Sequence, residues 1–347
     1  MSVAVIDGYE VIPFSLPSRL GPTRGVLLKL KAGRLVGLGE AAVLQARGND
    51  LGVVRSQLVG AAQAVVGRAL ADVDDAYQLL SAAVSPAVSS ALESALLDLL
   101  GQSNGRSVSD LLGGPGRREV RCGALLLGDS AAAIGEEARG VIADGFGDLK
   151  LKSVDGGGPV DLERVRMLRS FSPGLTLRLD FNGLVPGEAR LKELAEVGLS
   201  IAEQPLGVSD DLGAWLNLAM VSPIPVVADE SLGSPILAGQ LAGAKLGMAA
   251  KLATVGGGRA VVNLLAQGDL VSIGSSHESS IGLAFALHVA AALKSEPAAC
   301  GLATRAFLQA DLAQGLGPEG PQLRVPADPG LGVELDELAL QRYRSDR

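Results

Sequence analysis

Five short apolar runs in this chain each end on charge: DLKLK at Lys150 and Lys152, LTLRLD at Asp180, LSIAE at Glu203, IPVVAD at Asp229 and GMAAK at Lys251. Counted from Lys152, the stations fall 28, 23, 26 and 22 residues apart, close to the length of one strand, one helix and two loops. A chain repeating that unit closes its strands into a parallel barrel, and residues at the carboxyl ends of those strands meet at one mouth. The spacing therefore predicts three acids and three lysines gathered at a single opening.

The rest of the chain fits that reading. From Glu119 strands are predicted near 120–126, 149–152, 175–180, 200–203, 226–229, 248–251, 271–275 and 298–302, with helical patterns between them, such as 161–169 and 187–197. Strand and helix alternate, and no GxGxxG turn follows the first strand, so a barrel is favoured over a doubly wound dinucleotide-binding sheet. Before Glu119, VAVIDGYEVIPF, GVLLKLKAG and RLVGLGEAAV predict three antiparallel strands, and a helical stretch runs from about Asp50 to Leu112. Within it SPAVSSALESALLDLLGQ places Val88, Ala91, Leu92, Ala95, Leu96 and Leu99 on one face, behind a capped entrance at Ser85 and Pro86. The expected architecture is α/β: a (β/α)7β TIM-like barrel over 117–305, a smaller α+β domain at 1–116, and a Pro/Gly-rich tail, 306–347, returning to that domain.

Composition narrows the function classes. Aromatics are 3% and the net charge is −8, with 30 Lys and Arg scattered along the chain, so neither a stacking platform nor a basic stripe for nucleic acid is present. Cys122 and Cys300 lie outside any zinc-type cluster and read as buried small hydrophobes. Asp7 and Glu10 interrupt the first apolar stretch, which has no basic leader, and no 18-residue apolar run is free of charge. A cytoplasmic protein without a membrane partner is expected. The sequence leaves a homo-oligomer open.

At the predicted mouth, Lys150 and Lys152 point to the same side of their strand and Leu151 to the other. Adjacent strand ends are about 5 Å apart, near enough for Asp180, Glu203 and Asp229 to share one ion. Oxygen-only ligands select a hard divalent cation, Mg²⁺ first and Mn²⁺ second. Two lysines, Lys152 and Lys251, facing each other over such an ion suit removal of a proton from the carbon beside a carboxylate, so a small-molecule carboxylate is the expected substrate. Lys150 and the metal charge are expected to lower the pKa of Lys152. A single acid at a strand end is more often a cap or an ion-pair partner; the ordered set on consecutive strands carries the reading. A Schiff-base lysine at Lys251 would leave the three acids unexplained.

The KxK, Asp, Glu, Asp, Lys order on strands two to six resembles the enolase superfamily, in particular its muconate-lactonising subgroup. The resemblance implies a capping domain before the barrel, metal ligation by Asp180, Glu203 and Asp229, proton transfer by Lys152 with Lys251 as its partner, and assistance from Lys150. Asn182 and Glu230 match polar neighbours of the ligands. SSHESSIGLAFALHVAAAL and ACGLATRAFLQADL are similar to segments of the o-succinylbenzoate synthase family, which implies a Mg²⁺-dependent dehydration in menaquinone biosynthesis. It also places Arg178, Ser275, Ser276 and Glu278 among substrate-binding residues. Dipeptide epimerase, N-acylamino acid racemase and muconate cycloisomerase share the same proton abstraction; the epimerases carry a DxD near strand eight that GLATR lacks. His277 departs from the apolar residue usual within SSxESS, and reads as packing or solvent-facing in preference to a base. His288 reads as a helix-face residue. Gly256, Gly257 and Gly258 suit an anion cradle, here a substrate carboxylate, or a tight turn. The loop from Ser15 to Thr23 is expected to carry specificity.

Overall fold

The computed structural model describes residues 4–43, 50–317 and 319–345. Seven parallel strands lie side by side in chain order: Ala124–Leu126, Asp148–Lys152, Thr176–Asp180, Ile201–Glu203, Val226–Ala228, Gly247–Ala250 and Val271–Ile273. The eighth segment closes the ring through single bridges, Gly274 to Gly301 and Cys122 to Cys300. Five backbone bonds secure it: Ala298 N–H to Val271 O (2.8 Å), Gly301 N–H to Ile273 O (2.9 Å), Ser275 N–H to Gly301 O (3.0 Å), Cys300 N–H to Arg121 O (2.8 Å) and Gly123 N–H to Cys300 O (3.0 Å). Helices α5 (Ala131–Ala143), α6 (Pro159–Phe171), α7 (Gly187–Glu196), α8 (Leu212–Val221), α9 (Pro235–Gly243), α10 (Leu252–Val255), α11 (Gly258–Leu265) and α12 (Ser280–Ala292) follow strands one to seven. This is a (β/α)7β barrel.

Alternation along the strands explains why charge is tolerated here. In DLKLK, Leu149 and Leu151 are buried while Asp148, Lys150 and Lys152 stay partly exposed, which sends the leucines under the helices and the polar residues into the lumen. The lumen has its own apolar patch, Ile201, Val227 and Ala249, separate from the main core.

Two strand readings are revised. The expected strand 120–126 is two pieces, since Glu119–Arg121 pairs antiparallel with Gln322–Arg324 of the tail before Ala124–Leu126 enters the barrel. Gly123 marks the change of partner. The first predicted strand also divides: Ala4–Val5 pairs with Ala69–Leu70, and Gly8–Leu16 joins Thr23–Ala32 and Leu35–Ala42 in a three-stranded antiparallel sheet. Val3 lies outside the described residues.

The helical stretch resolves into α1 (Leu51–Val65), α2 (Val73–Leu79), α3 (Pro86–Asn104) and α4 (Val108–Leu112). Helix α3 is buried on nearly every side, Ser90, Glu93, Ser94 and Asp98 included, because it lies between the three-stranded sheet and the barrel. The predicted apolar face is therefore only part of what it buries. Its entrance differs from expectation too: Pro86 opens the helix, but the Ser85 hydroxyl donates to Gln57 Oε1 (2.8 Å) and not to the helix end. Close approach to the sheet depends on glycine. A Cβ on Gly39 would fall 1.9 Å from the Ala91 carbonyl oxygen, and one on Gly37 2.1 Å from that of Ala95.

Buried carboxylates of α3 tie the layers together. Asp98 accepts from Leu38 N–H (2.8 Å) on the sheet and Leu331 N–H (2.9 Å) on the tail. Glu93 accepts from Gly258 N–H (2.7 Å) and Arg259 N–H (2.8 Å) at the amino end of α11. The anion cradled after Gly256 and Gly257, both at positive φ, is thus the chain's own Glu93 and not a substrate. The tail also meets the sheet where Lys29 pairs with Glu337 (2.5 Å), at the start of helix α13 (Glu337–Tyr343).

Gly39→Ala is expected to cost about 1–3 kcal/mol or more by overpacking, read as a lower urea midpoint. Burial pushes the Glu93 carboxyl up to about 7 against the pull of its N–H donors. Its proton is held more tightly in the folded state, so the stability it contributes is complete below its ordinary value of 4.5 and lost as pH rises through about 7. Urea titrations across that window should show wild-type stability declining more steeply than that of Glu93→Gln.

Candidate active site

Strand register assembles the charged cluster. Lys152 pairs with Asp180 and Asp180 with Glu203 across strands two, three and four. Glu203 pairs in turn with Val227, two residues before Asp229. The three carboxylates are buried, and one oxygen from each lies within 4.8 Å of the others. Three acids this close and this dry repel one another unless cations answer them.

Four side chains do so. Lys150 Nζ lies 2.8 Å from Asp180 and also bonds Glu203. Lys152 bonds Asp180 (2.5 Å), Arg178 bonds Glu203 (2.7 Å), and Lys251 bonds Asp229 from the sixth strand. Burial pulls Lys150 down, but Glu203, Asp180 and Asp229 together outweigh it and hold the ammonium above its usual value. Burial likewise raises Glu203, yet Lys150 and Arg178 bring it below the carboxylate range; Lys251 and Lys150 do the same for Asp229. Glu203 and Asp229 stand ionised. An all-oxygen set of buried carboxylates with this mutual spacing fits a hard divalent ion.

A family profile described as "Enolase C-terminal domain-like" matches residues 133–339, and one described as "Mandelate racemase / muconate lactonizing enzyme, N-terminal domain" matches 13–113. The chain belongs to the enolase superfamily. A chloromuconate cycloisomerase of Cupriavidus necator is 28% identical over 92% of this chain and 90% of its own length. An o-succinylbenzoate synthase of Desulfotalea psychrophila is 35% identical over 47% of this chain and 45% of its own. The solved muconate lactonizing enzyme from Pseudomonas putida superposes with a TM-score of 0.89 at 27% identity, covering 99% of this chain and all of that one.

In this superfamily member one cavity is lined by Lys150, Lys152, Arg178, Glu203, Asp229 and Lys251, with Ser275 and His277 on a further wall. Of the residues expected at substrate, Arg178 reaches the lumen but its guanidinium is turned to Glu203 and, at 3.4 Å, to the Ser272 hydroxyl. Ser275 lines the cavity with its hydroxyl given to Glu278 (2.6 Å). Ser276 and Glu278 are not in the cavity wall; Glu278 folds back to accept Ser276 N–H (2.8 Å). Asn182 donates to Glu230 (3.2 Å) at the rim. His277 faces the cavity, a placement that packing or solvent exposure did not anticipate, whereas His288 is buried with both ring nitrogens engaged.

Some supporting residues gave no charge signal at a strand end. Gln204 is fully buried and accepts from Asp229 N–H (2.9 Å) and Ser231 N–H (3.2 Å), fixing the backbone of the fifth-strand acid. Arg164 donates to the Lys152 carbonyl (2.9 Å), to Gly128 O (2.8 Å) and to Asp161 (2.8 Å), bracing the end of strand two from behind. A close Asp/Arg spacing on α6 was the available signal for that pair. Asn182, Gln204 and His277 all sit at positive φ around the mouth, the uncommon backbone region that clusters at functional sites. No helix among the described residues is long and apolar enough to cross a membrane.

Glu203→Gln removes one charged oxygen donor from the acid triad. It is expected to weaken Mn²⁺ binding by about tenfold or more, measured by electron paramagnetic resonance titration of the purified protein.

Proposed function

We propose that this protein is a Mg²⁺-dependent enzyme that removes the proton next to a substrate carboxylate and eliminates water to form o-succinylbenzoate, a step of menaquinone biosynthesis. The observation that carries the chemistry is the pair of amines, Lys152 and Lys251, reaching the buried acids from opposite ends of the triad. Asp180, Glu203 and Asp229 would hold the ion, which supplies positive charge to the carboxylate oxygens as the neighbouring C–H bond breaks. Lys152, on the second strand and less buried than Lys150, takes the proton and returns it to the departing hydroxide. Lys251 offsets the negative charge that develops on the substrate from the other side. Lys150 keeps its proton and spans Asp180 and Glu203, so its part is electrostatic.

The choice of product rests on the SSHESS and ACGLATR segments and on the identity shared with an o-succinylbenzoate synthase over nearly half the chain. Chloromuconate cycloisomerase is the second reading, favoured by the near full-length match to that enzyme. It uses the same lysines with a muconate. The racemase and epimerase readings return the proton to the opposite face; the first is supported by 27% identity to an N-succinyl-L-Arg/Lys racemase of Bacillus cereus over 74% of this chain, while the DxD of the epimerases is absent from GLATR.

Incubation with Mg²⁺ and the succinylated hydroxycyclohexadiene carboxylate should yield the aromatic product, with EDTA abolishing turnover. Lys152→Ala should lower kcat by about a hundredfold to ten-thousandfold. Conversion of cis,cis-muconate to its lactone with no aromatic product from the diene would replace the first reading by the second.

A further inference from the structure

Two polar groups on the cavity wall have no task in the chemistry above. The His277 ring makes no hydrogen bond among the described residues, although it lines the cavity with Lys152 and Lys251. The other histidine shows what a structural imidazole does here: His288 accepts from Ser109 N–H (3.2 Å) and bonds Leu331 O (3.1 Å). Thr304 lines the same cavity, is only 9% exposed, and its hydroxyl also lacks a partner among the described residues. A buried hydroxyl left this way carries a desolvation penalty that a ligand can relieve.

Both side chains line the same cavity. Gly274 bridges Gly301 on neighbouring parallel strands, and His277 and Thr304 each stand three residues beyond that bridge. Small residues flank them, with Gly123, Gly274, Gly301 and Ala303 leaving room in the wall.

The turn that presents His277 is held firmly. His277 is at φ 62, and its N–H donates to the Ser275 hydroxyl (2.8 Å), which is itself bound by Glu278. Glu40, from the three-stranded sheet, accepts from Ser279 N–H (3.0 Å) and Gly282 N–H (3.1 Å) just beyond. Two buried carboxylates thus maintain an uncommon backbone conformation whose visible outcome is an imidazole facing the cavity.

We propose that His277 and Thr304 form a neutral hydrogen-bonding subsite for an uncharged carbonyl oxygen of the substrate, a ketone or an amide, held apart from the reacting carboxylate. The proposal deepens the functional reading and rests on its assignment of the carboxylate to the acid triad. Both side chains can donate. Burial first, then Lys251, Lys152 and Lys150, bring the His277 imidazole down to about 4, so it faces the cavity uncharged. A second carboxylate would be better matched by the lysines, all of which stand on strands two and six; an oxygen without charge is the partner suited to this wall.

Calorimetric titration in Mg²⁺ of o-succinylbenzoate and of 2-(3-carboxypropyl)benzoate, in which the ketone is a methylene, tests the idea. Wild-type protein should favour the ketone by about tenfold. His277→Leu with Thr304→Val should bring the two ligands to within about twofold while leaving the affinity for the methylene compound unchanged. Thr304→Ser, which keeps the hydroxyl, should retain the preference, and serves if the double variant does not fold. A ketone preference that survives the double variant, or is absent from the wild type, overturns the subsite. If wild-type protein binds neither compound, the o-succinylbenzoate reading fails instead, and N-acetylphenylglycine against 2-phenylpentanoate decides the subsite by the same criterion.

Discussion

Three buried carboxylates, each answered by a cation from a neighbouring strand, are the constraint to which the rest of this structure is fitted. Removing one partner would leave a charge in a dry lumen, at a cost of about 3–5 kcal/mol, so Asp180, Glu203, Asp229, Lys150, Arg178 and Lys251 stand or fall as a set. Each is delivered by a different strand position, and the set exists only when the barrel has closed with the register observed. A site made this way is placed by rigid elements, which is what proton transfer over a short distance demands.

Around that set the chain uses further buried carboxylates as fasteners between layers. Glu93 sits on the amino end of α11, where unpaired backbone N–H groups and the helix dipole favour negative charge. Glu40 does the same near the start of α12. Both reach from the amino-terminal part of the chain to helices that follow the sixth and seventh strands. Movement of that part against the barrel would therefore strip these buried acids of their donors, and the turn carrying His277 is held by the same contacts.

Periodicity made the barrel legible, because a strand-helix unit has a length and the charged stations repeat at that length. The acids were legible for a related reason: a charge closing an apolar run needs an explanation, and five such runs in order share one. Contacts between distant segments were not legible. Nothing in Gly256–Gly258 announces that its anion is Glu93, some 165 residues away, and nothing in GLATR marks Thr304 as a hydroxyl left facing a cavity. Gln204 and Arg164 were hidden similarly, since a buried polar side chain looks like a surface one until its partners are known. Ser276 and Glu278, residues of a suggestive segment, do not line the cavity, and Glu278 holds the turn through the Ser275 hydroxyl and Ser276 N–H.

What the linear order determined by itself was the repeat, the strand alternation and hence which side chains enter the lumen, since these follow from local geometry with periods of two and of one strand-helix unit. What only the folded chain decided was which donors each buried acid meets, how the eighth segment closes the ring by single bridges, and which histidine is spent on structure. Those depend on register and on close approach between segments far apart in sequence, and local geometry carries no information about either.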